Sequence, residues 1–342
     1  MSRELLVLGG SWFLGRSIVR AAMDLGWSVT TFRRGLSGQE VAGARSIRGD
    51  RTSAADLARL ARAGTWDLVV DTSAFVPVEA GALARVLEPV SRRYVVVSSV
   101  SAYTGWPTEP LCEASEVLYC PPDAGPGYGY DADPGPSVYG FTKAGVERAV
   151  TAVFGPERTT VLRPGVILGP GEYVGRLPWW LNRMRRGGRV LAPGSPARSI
   201  QPVDVRDVAE FALDGVAGTF NLTGQDTEME RFLGLCREVV GGDAVLSWVT
   251  DEQWLVQQGV KQWTELPLWR TYPGTWRVNS SAAKAVGFTP RPLAQTVADT
   301  WVWMRSGESA VVHERAAELG IDPTLEAALL GMWDAHERDH CG

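Results

Sequence analysis

The chain has 342 residues, of which 45% are hydrophobic and 21% charged, as is typical of a globular protein long enough to bury a large core. Its net charge of -5 comes without a basic stretch, which argues against a nucleic-acid-binding surface. No segment reaches the roughly eighteen apolar residues of a membrane span, and the N-terminal run Leu5 to Leu8 is too short for a signal sequence. We therefore expect a cytoplasmic protein with neither a nucleic-acid nor a membrane partner.

Cysteine and histidine usage predicts neither a disulfide framework nor a metal site. The four cysteines lack a Cys-x-x-Cys spacing, which favours reduced thiols. None of the three histidines adjoins a nucleophile motif, which argues against a Ser-His-Asp hydrolase. His336, His340 and Cys341 have metal-ligand spacing, but they lie at a chain end, where fraying is the default. We expect no metal.

Strands and helices alternate along the first 170 residues. The predicted strands are Glu4 to Leu8, Ser28 to Phe32, Asp67 to Asp71, Tyr94 to Ser98 and Thr160 to Leu162. The predicted helices are Phe13 to Leu25, Ser53 to Ala63, Pro77 to Leu87 and a helix that carries Tyr139 and Lys143. This alternation implies parallel strands with right-handed crossovers, and so an α/β Rossmann fold with a doubly wound parallel sheet that binds ligands at its carboxyl edge.

The turn between the first strand and the first helix reads Gly9-Gly-Ser-Trp-Phe-Leu-Gly15. In this position a dinucleotide pyrophosphate meets backbone N–H groups and the helix dipole. Gly9 permits the tight turn and Gly15 permits close helix–strand packing, whereas Trp12 replaces the middle glycine of a Gly-x-x-Gly-x-x-Gly pattern. The predicted cofactor contacts of this turn are Gly9, Ser11, Trp12, Phe13, Leu14 and Gly15.

The second predicted strand ends in Phe32-Arg33-Arg34. An acidic residue at this place binds the ribose hydroxyls of NAD, whereas guanidinium groups suit the 2′-phosphate of NADP. Two solvated arginines are the alternative. We predict that Phe32, Arg33 and Arg34 contact the cofactor and that NADP is preferred over NAD.

Two later segments are predicted to complete the cofactor site. Asp50 and Arg51 follow a short apolar segment, and the Asp50 carboxylate is predicted to lie near the amino group of the cofactor's adenine. Thr72, Ser73 and Ala74 end the next β unit, beside the middle of the cofactor. Either segment taken alone would be an ordinary loop.

Tyr139 and Lys143 form a Tyr-x-x-x-Lys pair about forty residues after the serine cluster Ser98-Ser99-Val-Ser101. A spacing of four puts both side chains on one helix face, where the ammonium lowers the phenol's pKa and makes it a proton shuttle. The alternative is a surface tyrosine stacked on a lysine stem. In the context of the glycine turn, the pair predicts redox or epimerase chemistry at an alcohol carbon.

Together these residues resemble the short-chain dehydrogenase/reductase superfamily, in its extended branch of NAD-dependent epimerase/dehydratase-like proteins. The resemblance covers nearly the whole chain and includes Arg163-Pro-Gly and the Val203-Asp-Val-Arg-Asp-Val-Ala segment. It implies that Tyr139 exchanges a proton with a substrate oxygen that Ser99 also holds. It further implies that Lys143 binds the nicotinamide ribose, and that Pro164 and Val166 lie beside the carboxamide.

Two departures from the family pattern narrow the expected activity. Val100 and Ser101 stand where the dehydratases carry an Asp-Glu pair, which disfavours sugar-nucleotide dehydration. Trp12 in the glycine turn resembles an atypical actinobacterial reductase-like subgroup, which also includes a chloroplast RNA-binding branch.

We expect an NADP-dependent oxidoreductase that reduces a carbonyl or oxidises an alcohol on a small or natural-product-type substrate. The alternatives are an NAD-retaining epimerase of a sugar or sugar nucleotide and a non-catalytic nucleotide- or RNA-binding relative. Residues 1–170 are predicted to form the NAD(P)-binding domain. Residues 171–342 are predicted to form mainly a smaller C-terminal α/β substrate-binding subdomain, although residues 200–225 return to the Rossmann core. A homodimer is compatible with the sequence.

We expect three segments to form the substrate pocket: the Pro/Gly/Tyr-rich segment between Tyr103 and Ser137, the stretch Arg198 to Gln201 and the Trp-rich C-terminal third. Arg198 and Arg277 suit a phosphate or a carboxylate, and surface ion pairs are the alternative. The sequence does not identify the substrate.

Overall fold

A computed structural model of the chain describes residues 2–36, 38, 40–308 and 314–340. Its strands, in chain order, are β1 Glu4–Leu8, β2 Ser28–Arg33, β3 Arg45–Arg48, β4 Leu68–Asp71, β5 Tyr94–Val97, β6 Thr159–Pro164, β7 Ile167–Leu168, β8 Arg189–Pro193, β9 Ser199–Ile200, β10 Val203–Asp204, β11 Gly218–Leu222, β12 Thr227–Glu228 and β13 Val245–Val249.

The α-helices, in chain order, are α1 Phe13–Asp24, α2 Ala54–Ala61, α3 Pro77–Leu87, α4 Val138–Phe154, α5 Arg176–Arg185, α6 Val205–Asp214, α7 Met229–Val240, α8 Glu252–Gln257, α9 Ser281–Ala285, α10 Leu293–Arg305 and α11 Pro323–His340. Short 3-10 helices cover Glu88–Val90, Val100–Ala102 and Glu314–Glu318.

The backbone contacts divide the chain into two compact units. The first comprises residues 1–167, 202–224 and 272–290, and the second comprises residues 168–201, 225–271 and 291–342. Assignment of the first unit to the cofactor and of the second to the substrate stays a prediction.

The first unit contains one seven-stranded sheet in the order β11-β6-β5-β4-β1-β2-β3, and every neighbouring pair is parallel. Alternate residues of β1 point to opposite faces, as the pleat of a strand requires. Leu5 and Val7 pack in a core with Ile18 of α1 and Phe211 of α6. Because helices cover both faces, β1 is apolar at successive positions rather than alternating.

On the opposite face, Leu6 and Leu8 pack in a second core with Leu60 of α2, Leu83 of α3 and Val146 of α4. Strand β1 therefore lies buried between two helical layers. This is the predicted doubly wound Rossmann sheet, which is confirmed.

Helix α4 begins and ends at residues suited to those positions. Ser137 caps its start, since the Ser137 side chain accepts a hydrogen bond from the Gly140 N–H at 3.2 Å. The Asp131 Oδ1 accepts a second bond, from the Val138 N–H at 2.9 Å. At the other end Gly155 has φ +77°, a conformation that strains any other residue. These ends fix where Tyr139 lies, because it is the second residue of the helix.

The second unit is a mixed α/β body with its own core. Strands β8 and β13 pair in parallel, and β9 and β12 pair antiparallel. Trp180, Trp269 and Phe232 are fully buried in this unit. Arg183 and Glu326 form a buried ion pair at 2.8 Å, which ties α5 to α11.

None of the helices in the described part of the chain is both long enough and apolar enough to cross a membrane. Within the same residues no group of three or more His, Cys, Asp or Glu side chains has a metal-binding arrangement. Cys341 and the side chain of His340, which the sequence places at metal-ligand spacing from His336, lie outside the described residues.

Candidate active site

The glycine turn leaves no room for side chains at its two ends. Gly9 has φ +90°, and a Cβ at this residue would lie 2.8 Å from the Thr72 Oγ1. A Cβ on Gly15 would lie 2.3 Å from the Gly9 carbonyl oxygen, well inside contact distance. Gly9 thus allows the turn, and Gly15 allows α1 to start directly against it, which leaves backbone N–H groups at the helix N-terminus open to a pyrophosphate.

Trp12 occupies the N-cap position of α1, in an extended conformation. A Cβ on Gly38 would lie 3.0 Å from the Trp12 Cδ1, so the indole lies against the segment that follows β2. Phe13 next to it has φ +23°, which is unusual for a residue with a side chain. Ser11 and Leu14 are buried. The bulky residue therefore packs beside Gly38, after the end of β2.

Replacement of Gly15 by Ala should damage both the fold and the cofactor site. The new methyl group must move α1 away from the Gly9 carbonyl, and overpacking of this kind costs about 1–3 kcal/mol. We expect a lower midpoint in denaturant unfolding and at least a roughly tenfold weaker binding of nicotinamide dinucleotide. Gly331→Ala is the matched control, because Gly331 also lies in a helix but its Cβ would meet open space. A Gly15→Ala protein as stable as Gly331→Ala would contradict the close packing.

At the end of β2, one of the two arginines that were predicted to bind the cofactor forms an ion pair with a carboxylate of the protein. Arg33 forms an ion pair with Glu40, whose carboxyl pKa is lowered by the hydrogen bond from Arg33. The Nε of Arg33 is buried without a hydrogen-bond partner among the described residues. Arg34 is exposed, and Phe32 is buried beneath the strand end. One guanidinium charge is therefore partly compensated before any ligand binds, and the other is open to solvent.

Asp50 lies in a turn that fixes one of its carboxylate oxygens. Its Oδ1 accepts hydrogen bonds from the Thr52 N–H at 2.9 Å and from the Thr52 hydroxyl at 2.8 Å. These bonds, the backbone one foremost, lower the pKa of the Asp50 carboxyl. The carboxylate is thus held ionised and oriented at the carboxyl edge of the sheet, where an acceptor for an adenine amino group was predicted.

Arg51, which was predicted to contact the cofactor, forms an ion pair within the protein. Its Nη2 donates to both carboxylate oxygens of Asp71, at 2.9 and 3.0 Å, and to the Ser73 hydroxyl at 3.2 Å. Asp71 ends β4 and is completely buried. The Nη1 of Arg51 is buried without a partner in the described part of the chain. The guanidinium is therefore primarily part of an internal ion pair, with one nitrogen left over.

Thr72 and Ala74 connect the strand end to the glycine turn and to α4. The Thr72 hydroxyl donates to the Leu8 carbonyl at 3.0 Å, next to Gly9. The carbonyl of Ala74 accepts a hydrogen bond from the Lys143 Nζ at 2.9 Å. The segment after β4 thus touches both the predicted cofactor turn and the predicted catalytic helix.

Lys143 is buried, and its ammonium lies between two carbonyls. Besides the bond to Ala74, its Nζ donates to the Val97 carbonyl at 2.9 Å, at the end of β5. The same Nζ lies 4.5 Å from the ring centroid of Phe75 and 5.6 Å from that of Tyr139. Burial lowers the pKa of Lys143 to about 8, although the Asp71 carboxylate acts in the opposite direction.

Tyr139 and Ser99 converge on the same edge of the sheet. Ser99 follows the end of β5, and its Oγ accepts a hydrogen bond from the Ser101 N–H at 3.1 Å. A Cβ on Gly140 would lie 2.2 Å from the Ser101 carbonyl, so the residue after Tyr139 presses against the serine turn. Tyr139 is 42% exposed and can be reached by a ligand. The three predicted catalytic residues therefore come from a strand end and a helix start that touch each other.

Below this edge lies a buried polar network that the sequence reasoning missed. Glu147, one turn beyond Lys143 on α4, accepts hydrogen bonds from Ser98 and from the Arg163 Nε, the latter at 2.9 Å. The Arg163 guanidinium stacks over the Tyr103 ring at 4.5 Å. The available signal was the spacing: residues 139, 143 and 147 are four apart and share one face of the helix.

Pro164 and Val166, predicted beside the cofactor carboxamide, lie at and just beyond the end of β6. The Val166 carbonyl accepts a hydrogen bond from the Val203 N–H at 2.9 Å. Both residues belong to the carboxyl edge of the sheet, but the Val166 carbonyl already has a partner.

Of the two arginines considered for an anionic substrate, Arg198 is ion-paired. It contacts Glu252, and its Nη1 donates to the Arg270 carbonyl at 2.8 Å. The Trp269 indole donates to the same Glu252 carboxylate at 2.7 Å. Arg198 therefore corresponds to the ion-pair alternative, whereas the side chain of Arg277 is exposed.

The fold and this site define a Rossmann-type enzyme scaffold with a Ser, Tyr and Lys at its carboxyl edge. Residues 5–214 match the family model described as the NAD dependent epimerase/dehydratase family. The match spans more than half of the chain, and the protein belongs to this family.

Solved structures with low sequence identity share the fold. The Bordetella bronchiseptica enzyme WbmG in complex with NAD and UDP superposes with a TM-score of 0.68 at 16% identity, covering 91% of this chain and 100% of WbmG. A putative epimerase from Burkholderia cenocepacia has a TM-score of 0.69 at 18% identity, with 90% and 99% coverage. A UDP-glucose 4-epimerase from Thermotoga maritima, solved with UDP-glucose, has a TM-score of 0.65 at 19% identity, with 89% and 99% coverage. A search of curated protein sequences finds no significant match.

Proposed function

We propose that this protein is a nicotinamide-dinucleotide-dependent enzyme that acts at an alcohol or carbonyl carbon, in the form of an epimerase of a sugar or sugar nucleotide. The observation that carries the proposal is the anchored ammonium of Lys143. It is held by the Ala74 and Val97 carbonyls, beside the accessible ring of Tyr139 and the strand end that leads to Ser99. A buried cation beside a phenol favours the phenolate and makes the tyrosine a usable acid and base near neutral pH.

Tyr139, Ser99 and Lys143 have different roles at the substrate. The Tyr139 hydroxyl exchanges a proton with the substrate oxygen, and the Ser99 hydroxyl holds that oxygen in place. Lys143 uses two of its three N–H donors on backbone carbonyls, which leaves one for the ribose of a bound cofactor. Its position is set by the protein backbone before any ligand arrives.

The residues present fit a dinucleotide cofactor. The turn from Gly9 to Gly15 has no space for a side chain at its two end glycines and brings the N-terminus of α1 close to the strand end, and Asp50 offers an oriented carboxylate. Arg33 and Arg51 each carry a buried nitrogen without a partner among the described residues, as expected where a polar ligand binds. When bound, the nicotinamide ring supplies the hydride acceptor and donor, which the protein only orients.

The family match and the structural neighbours support epimerisation over net reduction. The neighbours include proteins described as epimerases, and two were solved with UDP or UDP-glucose. The test is to incubate the purified protein with UDP-glucose and with UDP-N-acetylglucosamine and to separate the products. We expect the C4 epimer of one sugar nucleotide to appear without net change in the absorbance of reduced nicotinamide. Stoichiometric consumption of added cofactor would contradict the epimerase proposal.

A net carbonyl reductase that uses NADP is the second candidate, and the arginine pair after β2 favours it. A reductase must exchange its cofactor at every turnover, and Arg33 and Arg34 suit the phosphate of NADP. In that case added NADPH is consumed in proportion to an aldehyde or ketone substrate, and no dinucleotide stays bound through gel filtration.

The double substitution Arg33→Ala and Arg34→Ala tests the predicted NADP preference. If the guanidiniums bind the 2′-phosphate, the dissociation constant for NADPH should rise about tenfold or more while that for NADH changes little. Calorimetric titration of both cofactors into both proteins measures the difference. Arg231→Ala is the control, because Arg231 is an exposed arginine paired with Glu238 on α7. Equal constants for the two cofactors in the parent protein would show that these arginines do not bind the 2′-phosphate.

A further inference from the structure

A second group of charges lies next to the proposed catalytic residues and is built around Asp71. Its carboxylate, which is completely buried, accepts hydrogen bonds from the Arg51 Nη2, from the Tyr94 hydroxyl at 2.9 Å and from the Ser73 N–H at 2.9 Å. Tyr94 is also completely buried. A buried carboxylate with this many donors is held in one orientation.

Asp71 is connected to Lys143 through the backbone. Its bond to the Ser73 N–H fixes the turn after β4, and the next residue, Ala74, contributes the carbonyl that accepts from the Lys143 Nζ at 2.9 Å. One carboxylate therefore orders the segment that holds the ammonium, and also contributes negative charge in a region where solvent screens little.

We propose that Asp71, clamped by Arg51 and Tyr94, is a positioning residue that keeps Lys143 cationic and thereby sets the upper pH limit at which the Tyr139 and Lys143 pair can work. The inference rests on the proposed function, in which Lys143 must carry its charge. It assigns to Arg51 an electrostatic part in the site.

The expected direction of the change in the Lys143 pKa follows from the charges that face its ammonium group. Burial lowers the pKa of the ammonium to about 8, and the charge of Asp71 has the largest effect in the opposite direction. Arg51 lowers it and Glu147 raises it. Other groups affect Lys143 only indirectly. Arg163 forms an ion pair with Glu147, and Glu79 in the first turn of α3 interacts with Arg51. Tyr139 lies on the same helix as Lys143. Removal of the Asp71 charge should therefore let Lys143 lose its proton at a lower pH.

The lysine content of the chain makes this directly measurable. The sequence contains three lysines, Lys143, Lys261 and Lys284. Nuclear magnetic resonance of protein labelled at the lysine side chains gives one titrating signal for each, and the signal absent from a Lys143→Met protein identifies Lys143. The measurement needs no substrate, so its outcome is independent of whether turnover by the proposed epimerase is found.

Asp71→Asn is the decisive variant, because it keeps the shape of the side chain and removes its charge. We expect the titration midpoint of Lys143 to fall from about 8 by about one pH unit. Asp67→Asn is the matched control: Asp67 lies just before the same strand, pairs with Arg92 at the surface, and should leave the midpoint unchanged. An unchanged Lys143 midpoint in Asp71→Asn overturns the proposal.

If Asp71→Asn fails to fold, Arg51→Gln tests the same claim with the opposite sign. Loss of the guanidinium removes a charge that repels Lys143, while Tyr94 and Ser73 still hold the Asp71 carboxylate, so the midpoint should rise. A midpoint that stays or falls in Arg51→Gln overturns the proposal. A residue with only a structural role would not move the titration in opposite directions in the two variants.

Discussion

Replacement of Tyr139 by Phe should reduce turnover about 100- to 10,000-fold, the range in which a positioned acid or base contributes to catalysis. The ring and its 5.6 Å contact with Lys143 remain, and only the hydroxyl that exchanges the proton is lost. Cofactor affinity should stay within about twofold of the parent value, because the glycine turn and Asp50 are untouched. Product formation from the converted sugar nucleotide and calorimetric titration of the cofactor measure the two effects separately.

Tyr119→Phe provides the control for this experiment. Tyr119 is 67% exposed, and its ring lies 5.3 Å from the Arg148 guanidinium, on the outward side of α4. Although it belongs to the segment that was predicted to line the active site, it packs against Arg148, which is not on the helix face shared by residues 139, 143 and 147. Its substitution should leave turnover unchanged. Full turnover in Tyr139→Phe would end the assignment of this residue as the proton shuttle.

Replacement of Glu147 by Ala should have the largest effect on stability, about 3–5 kcal/mol in the free energy of unfolding. Glu147 and Arg163 are 8% and 7% exposed, and truncation leaves the Arg163 guanidinium charged and unpaired in the core. Ser98 loses its acceptor at the same time. Equilibrium unfolding in denaturant measures the difference.

Two comparisons separate charge burial from a general effect of substitution. Glu238→Ala removes the same side chain from an exposed ion pair with Arg231, and it should cost less than about 1 kcal/mol. Glu147→Met combined with Arg163→Met removes both buried charges, and it should recover much of the loss. A Glu147→Ala protein as stable as Glu238→Ala would show that the buried pair contributes nothing.

The fold was predictable because its signals are local. The apolar run of β1, the helix that ends near Gly26 and the regular alternation that follows require only neighbouring residues. Strand β11 was not predicted as a strand, although residues 200–225 were expected to return to the Rossmann core, since Gly218–Leu222 lie outside the alternating region and join the sheet beside β6 through a long connection. The short strand β3 was seen only as a short apolar segment, because its extended conformation depends on pairing with β2.

The candidate site was predictable where a motif fixes geometry and not where distant side chains meet. Tyr139, Lys143 and the two end glycines follow from spacing alone. The pairing of Arg33 with Glu40 depends on the path of the loop after β2. The pairing of Arg51 with Asp71 joins residues twenty positions apart, across two separate strand ends. In both cases the sequence predicted an arginine in contact with the cofactor, and the fold places a carboxylate of the protein itself beside that arginine.

The close approach of Gly140 to the Ser101 carbonyl has a consequence for motion. With no Cβ at residue 140, the first turn of α4 rests directly on the backbone of the serine turn, and one turn later the bond from Lys143 to Val97 joins α4 to the end of β5, just before that turn. Tyr139 and Ser99 therefore lie on elements in direct backbone contact, and we expect their spacing to change little when a ligand enters. Adaptation to substrates of different size is then expected from the surrounding loops.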